Sequence, residues 1–184
     1  MEKADLNNFV NKQEIISIYT DEEKTNKFIA GYLLAVDEQY FLLASITPQG
    51  LYDGYILKTL DSILCIHSNG KYEKKLSYLL SDKYKPHNTQ YWASIESNNI
   101  LEEFLEFIKE NNFVCSIEIC NSGYNDIIGF IDSFNDVTCS VNTITEYGED
   151  DGKSMIQIRD ITLIGCDSDE EQTIKYLNQK GKNK

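Results

Sequence analysis

Few residues in this chain are of a type and spacing that could do chemistry: two histidines, five cysteines, one arginine and a scatter of acids. His67 closes an apolar stretch and His87 lies in a polar one, and neither stands beside a serine or cysteine in a setting that would make a nucleophile. Cys65, Cys115, Cys120, Cys139 and Cys166 are odd in number and lack the C-x-x-C spacing of zinc or redox sites. Cys139 alternates with Val137 and Val141, as a small buried apolar residue would. Asp53-Gly54 recurs as Asp151-Gly152, but Asp-Gly is first of all a turn between strands. Glu149-Asp150-Asp151 with Asp53 offers oxygen ligands for calcium without the spacing of a calcium loop, so a solvated acidic face is expected. No glycine loop of the phosphate-cradling or dinucleotide type occurs. The expectation is a protein that is not an enzyme, with no catalytic residue, no cofactor and no metal.

Charge narrows the partners. The net charge is −13, and it is uneven. Residues 1–97 carry 13 acids and 10 lysines, whereas residues 98–184 carry 17 acids against six lysines and Arg159. Arginine is the usual bidentate reader of phosphate and guanine, and Arg159 is the only one. A protein partner, most simply a basic one steered by the acidic second half, is therefore expected ahead of RNA. Tyr52 and Tyr55, flanking Asp53-Gly54, are aromatics of the sort that anchor such contacts. A small, acidic, non-catalytic chain is also what an inhibitor or immunity partner of a basic nuclease looks like, by analogy of composition alone.

The elements that must position these residues occur twice. Shifted by 98 positions, Gly31–Leu79 falls on Gly129–Leu177 without a gap and with 11 identities in 49 places. Chance composition would give roughly three. Gly31, Gly50 and Gly54 fall on Gly129, Gly148 and Gly152, Ile46-Thr47 on Ile144-Thr145, Glu73 on Glu171, and Tyr78-Leu79 on Tyr176-Leu177. Two units are expected: residues 1–85, a linker at 86–97, a second unit at 98–178, and a frayed lysine-rich tail at 179–184. Tyr91 and Trp92 in that linker are expected to pack between the units.

Leu6, Phe9 and Val10 follow helical spacing over residues 2–12. Five β-rich segments follow, at 15–19, 28–36, 40–46, 55–60 and 63–67, with Gly31 expected at a bend or bulge. From Gly70 the period changes to that of a helix reaching about Lys83. The second unit repeats this order: a helix with Ile100, Leu101, Phe104, Leu105 and Ile108 on one side, five strands, and a capping box Ser168-Asp169-Glu170-Glu171 opening a last helix. No apolar run approaches the roughly 20 residues of a membrane span. Met1-Glu2-Lys3-Ala4-Asp5 carries acids where a signal peptide needs a basic flank, so a cytoplasmic protein with no membrane contact is expected.

Gly31-Tyr32-Leu33-Leu34-Ala35-Val36-Asp37, with Leu42 beyond it, resembles the first motif of the Sm-like family (the Sm, LSm and Hfq group). Gly129-Phe130-Ile131-Asp132-Ser133-Phe134-Asn135 resembles it again, with asparagine at the acid. The family's second motif, an arginine–glycine step, survives in part as Ile158-Arg159-Asp160-Ile161 and is missing from Leu60-Asp61-Ser62-Ile63. The resemblance implies a mainly β chain with short helices: two tandem Sm-like or SH3-like five-stranded antiparallel barrels, each preceded and followed by a helix. It also implies rings built by association of further copies, binding single-stranded RNA at two turns. Transferred here, those places are Asp37, Gln39 and Tyr40 with Asp61 and Ser62, and Asn135 and Asp136 with Arg159 and Asp160. One cation against four aspartates argues against phosphate neutralisation there. A non-enzymatic interaction module is the leading expectation, with RNA binding as the alternative.

Overall fold

The computed structural model describes residues 3–81 and 99–182. Tyr91, Trp92, His87 and the linker expected at 86–97 fall outside the described residues. The chain divides into two compact units, Met1–Ile100 and Leu101–Lys184.

The first unit opens with helix α1 (Lys3–Lys12) and continues through β1 (Ile15–Tyr19), β2 (Ile29–Val36), β3 (Tyr40–Ile46), β4 (Tyr52–Thr59) and β5 (Cys65–Ser68) to α2 (Lys71–Ser81). A 3-10 turn at Leu60–Ser62 separates β4 from β5. All pairings are antiparallel, in the order β5-β1-β2-β3-β4. Because β1 alternates, its two faces feed two cores. Ile16 and Ile18 join Leu33, Phe41 and Leu43 beneath Leu6 of α1, while Ile15 joins Ala30 and Ile46 beneath Leu76 and Leu80 of α2. Burying a side chain such as Leu6 or Leu76 fully is worth about 1.5–3 kcal/mol, and that fixes each amphipathic helix on its own side.

Helix α3 (Ile100–Glu110), whose first residue closes the first unit, leads in the second unit into β6 (Val114–Ile119), β7 (Ile127–Phe134), β8 (Thr138–Ile144), β9 (Asp150–Gln157) and β10 (Ile161–Cys166), then α4 (Asp169–Lys182). The order is β10-β6-β7-β8-β9, again antiparallel. Residues 179–182, expected as a frayed tail, are the last residues of α4.

The two expected closed barrels are a correction. The ten strands build open antiparallel sheet: closure would require β4 to pair with β5 and β9 with β10, and neither pairing occurs among the described residues. Alternating patterns determine which face of a strand is buried, not whether the ends of a sheet meet, so the pattern left closure undetermined.

The repeat holds at the level of register. Gly31 faces Ser45 and Gly129 faces Thr143; Val36 faces Phe41 and Phe134 faces Cys139. The register shifts at the same place in both units, between Leu33 and Ala35 and between Ile131 and Ser133. Gly31 is thus not the bulge. Its requirement is steric: a Cβ there would lie 1.9 Å from the Ala44 carbonyl oxygen, and one at Gly129 would lie 2.2 Å from that of Asn142. Asp53-Gly54 and Asp151-Gly152 are not the turns either. They sit inside β4 and β9 where a second register shift falls, and the chain reverses at Thr47–Gly50 and Thr145–Gly148.

Candidate functional site

The β2–β3 turn of the first unit is organised by Asp37. Its Oδ1 accepts the backbone N–H groups of Gln39 (2.8 Å) and Tyr40 (2.7 Å), and its Oδ2 accepts that of Ile100 (2.9 Å). Asp37 is 2% exposed, so both carboxylate oxygens are committed to the fold. Asn135 does the same work in the second unit: its Oδ1 accepts from Val137 (2.8 Å) and Thr138 (2.9 Å). An amide replaces an acid at this position without loss because only one oxygen is needed to hold the turn.

The 3-10 turns close on these β-turns. Leu60 donates its N–H to the Gln39 carbonyl at 2.7 Å, and Ile158 donates to the Val137 carbonyl at 2.9 Å. The turn that carries Asp37, Gln39 and Tyr40 thus lies against the one that carries Asp61 and Ser62, and the turn with Asn135 and Asp136 against the one with Arg159 and Asp160. Their surfaces differ from the expectation. Tyr40 is buried, and burial first, with Asp37 and Asp61 adding to it, pushes its hydroxyl pKa up. It is not placed to stack on a base. Gln39, Asn135 and Asp136 are exposed. Arg159 is exposed too, with its Nε 3.6 Å from the Asp160 carboxylate, so the one arginine of the chain stands beside an acid that would repel a phosphate.

The tyrosine pair is likewise corrected as an exposed anchor. Tyr55 is 3% exposed and half-buried Tyr52 meets it edge to face, ring centres 5.5 Å apart. The acidic run contains Asp150, whose carboxyl the Asn178 amide, and then Lys182, hold below the usual carboxylate range. Lys153, 2.7 Å from Asp132, lowers that carboxyl in the same way. No group of three or more His, Cys, Asp or Glu side chains among the described residues is arranged to hold a metal ion.

Two features escaped the sequence reading. Ser17 donates to Glu73, and the counterpart Ser116 donates to Glu171 at 2.6 Å; all four residues are buried. Each pair ties the unit's second helix to its first strand. The shared Glu73/Glu171 was the available signal, and the serines were hidden because the offset across β1 is 99 rather than 98. The second feature is an inequality. Leu57 of β4 is 0% exposed, whereas Met155 at the same place in β9 is 72% exposed. Val137 (65%) and Tyr147 (70%) are uncovered in the same unit. β9 ends the sheet of the second unit, and nearly every residue of it is exposed.

Comparison with protein-family models, with curated proteins and with solved structures returns no match. No helix among the described residues is long and apolar enough to cross a membrane.

Proposed function

We propose that the chain is a non-enzymatic interaction module of Sm-like descent whose second unit docks a basic protein segment along β9. The contrast between Leu57 and Met155 carries this reading. The same apolar position in the same register is covered in one unit and open in the other, and a surface methionine is an adaptable contact for a partner. An end strand with unpaired backbone groups can accept an added strand, and side-chain charge then selects which strand. Glu149, Asp150 and Asp151 stand at the entrance to β9 and favour a basic one.

The test is affinity capture from native lysate with the wild-type chain and with Met155→Lys and Asp151→Lys variants. A basic protein recovered by the wild type and lost by both variants is the expected result; RNA in stoichiometric amount, read from the A260/A280 ratio, would overturn it. Light scattering distinguishes a foreign partner from association of copies through the same strand.

RNA binding is the second reading, favoured by the way each β-turn is clamped to its 3-10 turn. It predicts a mobility shift of short U- or A-rich RNA that weakens steeply with salt. The buried Tyr40 and the paired Arg159 place it behind the first.

A further inference from the structure

A cleft of about 550 Å³ opens in the first unit between β1, β5 and the start of α2. It is large enough for a small-molecule ligand. Its wall is a run of rings in contact: His67 lies 4.9 Å from Tyr19, Tyr19 5.1 Å from Phe28, and Phe28 5.0 Å from Tyr72, centre to centre. Exposed Lys71 stands at the rim. Glu73, the acid in the lining, is buried and accepts the Ser17 hydroxyl, and Lys75, whose ammonium stands 5.6 Å over the Tyr72 ring, donates to the Pro48 carbonyl, so Lys71 is the cation in the lining that meets an entering group.

The repeat shows that the fold does not require this wall. Strand register and helix starts place Glu118 where Tyr19 stands, Asp126 for Phe28, Gly165 for His67, Asp169 for Lys71 and Glu170 for Tyr72. At every one of these places the second unit carries an acid or glycine and still builds the same strands and helix. The aromatic and basic residues are thus confined to one unit, and their combination is the one that holds a planar ring bearing an anion: π-faces for the ring, an ammonium for the charge.

We propose that this cleft binds a nucleotide, its base laid against Tyr19, Phe28 and Tyr72 and its phosphate at Lys71. The chemistry is the same for a free nucleotide and for one residue of a single strand. The experiment is a titration of the full chain with AMP, adenosine and a ten-nucleotide single-stranded RNA, followed by aromatic NMR resonances. The substitutions are those the second unit already tolerates, Lys71→Asp and Tyr72→Glu, each first shown to retain the wild-type circular dichroism. AMP is expected to shift the Tyr19, Phe28 and Tyr72 signals. Lys71→Asp should weaken AMP about tenfold while leaving adenosine nearly unchanged, as the loss of one charge-assisted contact would, and Tyr72→Glu should abolish both. RNA displacing AMP from these signals identifies a strand as the source, and RNA without effect identifies the free nucleotide. Signals that do not move with AMP, or that move equally in both variants, overturn the proposal. So does equal binding of tetramethylammonium, which would mark the rings as a cation site.

Discussion

The Ser116 hydroxyl donates to Glu171 Oε1 at 2.6 Å, inside the second unit and 55 residues away in sequence. Oε2 of the same carboxylate accepts the Ser168 amide at 2.9 Å and the Ser168 hydroxyl, so one buried acid caps α4 and ties it to β6. A buried carboxylate stripped of a donor bears the desolvation cost of that loss. Ser116→Ala is therefore expected to destabilise the protein by about 1–3 kcal/mol in urea unfolding. Glu171→Gln should cost a similar amount, because its amide end cannot accept at both positions.

The internal repeat was legible because its glycines answer to backbone. Gly31 and Gly129 keep their offset since any Cβ would strike a neighbouring carbonyl, and that constraint survives divergence of the surrounding side chains. The β-turns were legible for the same reason, as Asp37 and Asn135 act within three residues of themselves. What a strand's outer side meets was not legible. Leu57 and Met155 are equivalent in pattern, and Tyr40 and Tyr55 have the amphipathic character of surface anchors, yet burial separates them. Barrel closure and the Ser17–Glu73 tie failed likewise, since both depend on which distant segments meet.

The glycine argument sets up a contrast between substitutions. Gly31→Ala and Gly129→Ala drive a methyl group to 1.9 Å and 2.2 Å from backbone oxygen, and the strand must separate to admit it. A loss of more than about 3 kcal/mol is expected for each. Gly123, with φ +80° and nothing within 4 Å of a built Cβ, carries only the backbone penalty. Gly123→Ala should cost about 1 kcal/mol. Thermal unfolding of the three variants side by side measures the difference, and equal losses would contradict it.

The cysteines divide into two classes. Cys65 and Cys120 are exposed, while Cys115, Cys139 and Cys166 are buried. Burial pushes the Cys139 thiol up from an ordinary value of 9.0 to about 11. Cys115 and Cys166 are raised as well, by burial first, then by Cys139 and Glu171 for Cys115 and by Cys115, Glu171 and Asp167 for Cys166. At pH 8 a maleimide should label two thiols quickly and leave three until the chain is unfolded. A thiol whose folded pKa is raised binds its proton more tightly in the folded state, so its contribution is complete below the unfolded value and lost above it. For Cys139 the loss spans pH 9.0 to about 11. Replacing Cys139 with alanine should make the fall in stability across that window shallower, with Cys115 and Cys166 supplying what remains of the thiol contribution.

The unequal strands give the most direct test of the interaction surface. Leu57 is wholly buried, and removing its side chain leaves a cavity, so Leu57→Ala should cost about 2–5 kcal/mol. Met155 occupies the same place in the other unit with most of its surface in water. Met155→Ala should change stability by less than about 0.5 kcal/mol, the range of ordinary surface substitutions. If β9 is a docking strand, that stable variant loses its partner while Leu57→Ala, where still folded, keeps it. Chemical denaturation and capture yield measured on the same two proteins separate the roles. A Met155→Ala chain that unfolds early would mean the methionine belongs to the core, and one that captures normally would remove β9 from the interface.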